Sequence, residues 1–355
     1  MRHRFLAAVI VAVVAAATGV LVSAQTQPAP PRFEVDPFWP KPLPNRWLMG
    51  QAAGVAVDRQ DHIWVLQRPR TLTEDEKGAT LTPPRNECCV PAPSVMEFDL
   101  EGNLLQAWGG PGQGYPWPDN EHGITVDAQD NVWLAGNGPK DGMILKFARD
   151  GKHVMTIGQP GVVGNDSDTA HMNRPSNVAV DVAAGEIFVA DGYGNHRVIV
   201  FDTRTGAYKR HWGANGRPPG DASVKGFGNA HCARLSRDGL LYVCDRPNNR
   251  IQVFRKDGTF VKEFVVAPDT RGTGSTWDAD LSPDAAQTFL YNADGENNHV
   301  WTLVRDSGRI LGFFGRSGRQ AGQFHWVHNM AVDSKGNIYT TEVDNAKRAQ
   351  KFVAR

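Results

Sequence analysis

Three histidines, His122, His231 and His328, occupy one register of an internal repeat, each standing immediately before a five-residue core. The clear cores read GVAVD (Gly54 to Asp58), GITVD (Gly123 to Asp127), NVAVD (Asn177 to Asp181) and NMAVD (Asn329 to Asp333). Two weaker copies are CARLS (Cys232 to Ser236) and DADLS (Asp278 to Ser282). The residues preceding the six cores are, in chain order, Ala53, His122, Ser176, His231, Trp277 and His328, so histidine enters every second copy. If six copies close into a ring, the three imidazoles stand a third of a turn apart and converge on the axis. Three imidazole nitrogens around an open coordination position are a donor set suited to zinc. A lone histidine in a strand is more often a hydrogen-bonded core residue than a ligand, and the shared register is what separates this trio from the rest. Other histidines, such as His62, His153, His211 and His325, show no such pattern and read as structural or surface residues.

The segments around the cores say what must position these side chains. Each core is followed by a short polar turn and then a β-rich run: IWVLQR, VWLAGN, IFVADG, LYVCDR, FLYNADG and IYTTEV. A third run follows (RVIVFD, RIQVFRKDG), then a fourth that ends in an aromatic residue and glycine (LLQAWGG, ILGFFGRSG). Apolar alternation with turn residues between the runs predicts four antiparallel strands per copy. The copies recur at the length of a propeller blade. The fold expected is all-β, a six-bladed β-propeller. The last copy supplies only three strands. Arg46 to Gly50 resembles the fourth-strand pattern and is expected to complete blade six, closing the ring and removing both free sheet edges. The domain reading is a signal segment over 1–24, a Pro-rich segment over 25–45 and the propeller over 46–355.

In such a ring the first strand of each blade lines the channel, and the second strand returns to the mouth at which the first began. Residues ending the second strand therefore share a face with the three histidines. Arg68 and Arg246 hold this position in blades one and four, each ten residues after its core, and blade three offers Tyr193 within Asp191-Gly192-Tyr193-Gly194-Asn195. Trp277 and Met330 are further channel-facing candidates. Taken singly, the arginines would be solvated loop residues and the tyrosine a core residue. Beside a metal, the guanidinium fork is suited to hold a carboxylate.

The composition sets broad limits. With 41% hydrophobic residues among 355, the chain can bury a large core, and its zero formal net charge gives no electrostatic reason to bind nucleic acid or an anionic membrane. Arg2 and Arg4, the apolar run Leu6 to Val22 and the small residues Val22-Ser23-Ala24 read as a secretory signal cleaved after Ala24, in preference to a retained anchor. The mature protein is expected to be exported, periplasmic or secreted, free of the membrane and monomeric. Cys232 and Cys244 flank a turn centred on Asp238, which places them opposite each other as either a bridge or two buried thiols. Cys88 and Cys89 are adjacent, in an insertion (Thr71 to Pro93) that begins just after Arg68 and could reshape the mouth.

The strings PSNVAVD…IFVADGYGNHRVIVF, HCARLS…LYVCDRPNNRIQVF, EHGITVD…VWLAGN and GVAVD…VLQRP resemble the catalytic core of peptidyl-α-hydroxyglycine α-amidating lyase, within the NHL-repeat propellers. The resemblance covers essentially residues 46 to 354. It implies that His122, His231 and His328 bind zinc, that Arg68 and Arg246 hold a substrate carboxylate, and that Tyr193 is the base at an α-hydroxyl. The implied substrate is a small molecule or peptide C-terminus ending in α-hydroxyglycine, split into an amide and glyoxylate. Two departures matter. The family's structural calcium uses an acidic residue directly after the last zinc histidine; here that residue is Asn329, which loses a charge and weakens the case for calcium. The family's cysteine after the tyrosine is Gly194, so its disulfide there is absent. Two other readings compete: a non-enzymatic NHL propeller binding a peptide or glycan, and a metal-dependent hydrolase or lactonase, whose usual carboxylate and Asn ligands contrast with imidazole here.

Overall fold

The computed structural model describes residues 29–355; the signal segment over 1–24 lies outside the described residues. The unit from Pro31 to Arg355 is a six-bladed β-propeller, each blade a four-stranded antiparallel sheet. The inner strands, in blade order, are Gln51–Val57, Glu121–Val126, Asn177–Asp181, Ala230–Leu235, Asp278–Leu281 and Val327–Val332. Each pairs with the next strand through a tight hairpin, and the repeat's closing residue fastens it. Asp58 accepts the backbone N–H of Gln60 and His62 and the indole N–H of Trp64, and Asp127 does the same for Gln129, Asn131 and Trp133. In the weaker copies a serine substitutes: Ser236 Oγ accepts from Leu240 N, and Ser282 Oγ from Phe289 N. The core is distributed between blades, with buried Trp64, Trp133, Phe147, Phe188, Phe254 and Tyr339 filling the wedges.

An N-terminal strand does close the ring, but it is Phe33–Asp36 rather than Arg46 to Gly50. Phe33–Asp36 pairs antiparallel with Arg348–Ala354, in register from Phe33 opposite Ala354 to Asp36 opposite Lys351. Phe33 packs against Tyr291 and Phe314 of blade five, so the closing strand also buries apolar surface. The propeller thus begins about a dozen residues before the boundary at 46. Asn45 and Arg46 have left-handed backbone (φ 57° and 58°), which ends any strand there. Trp47–Leu48 instead pairs in parallel with Val90–Pro91 of the insertion. Cys232 and Cys244 are directly opposed and disulfide-bonded, and the adjacent Cys88 and Cys89 lie on the exposed insertion.

Candidate metal centre and its mouth

A β-bulge aims each histidine at the axis. Ala230 pairs with Asp245 and Cys232 with Cys244, so His231 is the extra residue; His328 is likewise extra between the pairs Val327–Glu342 and Asn329–Thr341. The register also shifts by one residue between Glu121 and Ile124, around His122. A bulge frees one side chain from the sheet's alternation and re-aims it. Gly123 permits the rest: a Cβ there would lie 2.4 Å from the Ser176 carbonyl oxygen, so only glycine lets blades two and three approach this closely. That approach brings the Ser176 carbonyl to His122 Nδ1, at 2.7 Å.

The other two rings are held in the same way, His328 Nδ1 by the Ala53 carbonyl at 2.7 Å and His231 Nδ1 by the Trp277 carbonyl. Each Nδ1–H donates to the next odd-numbered blade, which fixes the tautomer and leaves Nε2 as an acceptor facing the axis. The three ligand nitrogens lie within 4.8 Å of one another, and all three histidines are buried. Burial, then the neighbouring His328 and His231, holds His122 well below the ordinary imidazole value; burial and then Arg246 do so for His231. His328 is brought down to about 3, by burial first and then Arg68. Neutral, oriented and convergent imidazoles fit a zinc ion. The fit rests on these donors alone.

Tyr193 reaches the same point. Its hydroxyl lies 3.0 Å from His122 Nε2, 3.1 Å from His231 Nε2 and 3.2 Å from Arg246 Nη1, which donates to it. The turn carrying Tyr193 is pinned by Asp191, which accepts from Asn173 N, Asn195 Nδ2 and the buried Arg197 Nε. At Gly194 a Cβ would stand 2.2 Å from Asn173 Oδ1, so a larger residue there would have to displace the Asn173 side chain. Arg246 stacks on Trp277 (4.6 Å) and Tyr193 (5.4 Å), with its Nε buried and unpartnered. Arg68 is held by the Glu121 carbonyl at Nε (2.7 Å) and by Gln51 at Nη1 (2.9 Å), and burial lowers its pKa to about 10.

These groups line a cavity of about 280 Å³ with His328, Asn137, Thr273, Trp326, Val343 and Asp344. The structure thus brings together His122, His231, His328, Arg68, Tyr193, Arg246 and Trp277. Met330 does not join them: its side chain packs in the core between blades five and six, among Phe324, Val327 and Ile338. The insertion does not line the cavity either; it runs beside Trp47–Leu48 and is tied to blade six through Glu76 and Lys347. Sequence reasoning missed Asn137 and Val343, although each stands ten residues after its core, the same position as Arg68 and Arg246. It also missed Arg174, whose guanidinium lies 5.6 Å from the Tyr193 ring while its Nε donates to the Asn137 carbonyl.

A ring of six four-stranded blades with three axial imidazoles defines the class, and comparison with known proteins narrows it. The NHL repeat family matches residues 172–201 and 227–254, within blades three and four. The chain is 30% identical to human NHL repeat-containing protein 3 over 278 residues, covering 74% of this chain and 73% of that protein. It is 31% identical over 264 residues to peptidyl-alpha-hydroxyglycine alpha-amidating lyase 1 of Drosophila melanogaster, covering 68% of this chain but only 46% of the fly protein. Virginiamycin B lyase from Staphylococcus aureus shares the fold, with a TM-score of 0.51 at 15% identity over 91% of this chain and 89% of that one. The chain belongs to the family of NHL repeat-containing proteins.

Proposed function

We propose that this protein is an exported, monomeric, zinc-dependent lyase that splits an α-hydroxyglycine-type carbinolamide into an amide and glyoxylate. The observation that carries this reading is the meeting of Tyr193 Oη with two of three convergent, neutral imidazoles and one guanidinium. The likeness to the fly lyase supports it.

Zinc held by the three Nε2 atoms would act as a Lewis acid toward the substrate hydroxyl. Arg246, stacked and pointed into the cavity, and Arg68, with two nitrogens already anchored, would bind the α-carboxylate and orient the carbinol carbon. Tyr193 Oη, kept in place by Arg246, would accept the hydroxyl proton as its phenolate and so become the neutral phenol. The oxygen's electrons then form the aldehyde C=O of glyoxylate as the carbon–nitrogen bond breaks. The departing amide nitrogen takes up the proton, so atoms and charge balance. Trp277 and Trp326 offer an apolar wall for the acyl part of the substrate.

With α-hydroxyhippurate, zinc-loaded protein should release glyoxylate. Tyr193→Phe should lower turnover ~10²–10⁴-fold with zinc retained. Background glyoxylate from zinc-loaded protein would reject the lyase. Equal release by Tyr193→Phe would keep the reaction but reject the base. One observation favours the binding-scaffold reading: the Tyr193 hydroxyl lies within hydrogen-bond distance of both His122 Nε2 and His231 Nε2, and its one proton satisfies either of them, so it partly caps the imidazole cluster. That reading predicts unchanged ligand capture after metal is stripped.

A further inference from the structure

One to three residues further along the inner strands, the axis carries a second polar layer that the proposed reaction does not use. Arg234, the third residue of the blade-four core, sends its guanidinium across the channel. Nη2 donates to Asp278 Oδ2 of blade five at 2.8 Å and to the Met330 carbonyl of blade six at 3.1 Å, and Nη1 donates to Asn177 Oδ1 of blade three at 3.3 Å. One side chain thus links four of the six blades.

The Asp278 carboxylate and the Asn177 amide oxygen already accept hydrogen bonds, while Asn177 Nδ2 is buried without a partner. Asp278 Oδ2 also accepts from Met330 N at 3.0 Å, and its Oδ1 from Ala279 N at 2.9 Å. Asn177 Oδ1 also accepts from Val178 N at 2.6 Å. Asp280, the next carboxylate toward the far mouth, accepts from Leu281 N and Val332 N. The pair is well sheltered, with the Arg234 side chain 14% exposed and Asp278 not at all. Asn329, which follows the last histidine, contributes a buried Oδ1 without a partner, while its Nδ2 donates to the His328 carbonyl. Calcium needs six to eight oxygen ligands and prefers carboxylates. This layer offers one lone amide oxygen beside a permanent positive charge, which repels a cation. Calcium does not fit.

We infer that Arg234 is the ring's built-in axial cation: its guanidinium ties blades three to six together in the way a bound divalent ion would, so the fold has no calcium requirement. This holds whether or not the mouth is a lyase site.

The test is thermal melting of the mature protein after passage over a chelating resin, with and without millimolar calcium restored. The wild type should show no shift with calcium. Arg234→Met, which keeps an unbranched stem and removes the charge, should melt ~5–10 °C lower, as for a broken buried ion pair. Arg234→Lys, keeping the charge without the fork, should fall between the two. A wild type that gains stability from calcium would overturn the inference, and so would Arg234→Met melting with the wild type. If the methionine variant does not fold, the calcium arm and the lysine variant still decide: a lysine variant melting with the wild type also overturns it.

Discussion

The histidine layer and the arginine layer are neighbours on the same inner strands, yet their polar groups are used in opposite ways. In the first, each imidazole spends Nδ1 on the carbonyl of another blade and turns Nε2 to the axis. In the second, both terminal nitrogens of Arg234 are answered by acceptors from three other blades. The same radial geometry therefore gathers ligand nitrogens in one layer and fastens blades to one another in the other.

The largest disturbance should come from the rim, because ring closure supports both layers at once. A protein truncated just before Phe33 should melt like the mature chain. One truncated after Asp36 loses the strand paired with Arg348–Ala354 and should melt far lower, with metal content falling as well. Equal melting of the two would contradict closure by this strand. Next in size is Asp278→Ala, which strands Arg234 in a buried setting and should cost about 3–5 kcal/mol while leaving zinc bound. Arg246→Ala should do the reverse. With stability nearly unchanged, loss of a charge-assisted hydrogen bond worth about 1.5–3 kcal/mol should raise KM roughly 10–100-fold. If Asp278→Ala empties the metal site, or if Arg246→Ala melts lower than Asp278→Ala, the layers are not separate devices.

The smallest effect is on pH dependence, where the layers have opposite signs. The buried imidazoles titrate below their unfolded value, His328 at about 3, so below pH ~6.5 the unfolded chain binds more protons. Their contribution is complete above that pH and is lost progressively as pH falls toward 3. Burial raises Asp278 to about 6 against the pull of Arg234, so its contribution changes the other way and fades as pH rises through 6. Metal-free wild type should lose more melting temperature between pH 7 and pH 5 than the His122→Ala, His231→Ala double variant. A larger loss in the double variant would reverse the assignment.

Much of this was legible in the sequence because repetition supplies its own alignment. The three histidines, Arg68, Arg246 and Tyr193 could be placed on one mouth from register alone, and the structure sets them there. The closing strand was misread since Arg46 to Gly50 copies the aromatic-then-glycine ending of an outer strand, whereas the left-handed turn at Asn45 and Arg46 is a property of the backbone. The four residues FEVD carry too short an alternation to stand out. Met330 was misplaced because alternation on a bulged strand shifts by one residue: its carbonyl meets Arg234 while its side chain enters the core. Arg234 was invisible as a fastening because it sits in one of the weakest repeat copies, and its partners come from blades distant in sequence.

The central claim is that the histidine layer is a metal centre, and elemental analysis of the purified protein tests it most directly. Wild type should carry close to one zinc per chain. The His122→Ala, His231→Ala double variant should carry only background metal while keeping a cooperative melt, because apolar wedges between blades hold the ring. Equal metal content in the two proteins, or wild type without a transition metal after incubation with zinc, would contradict the account.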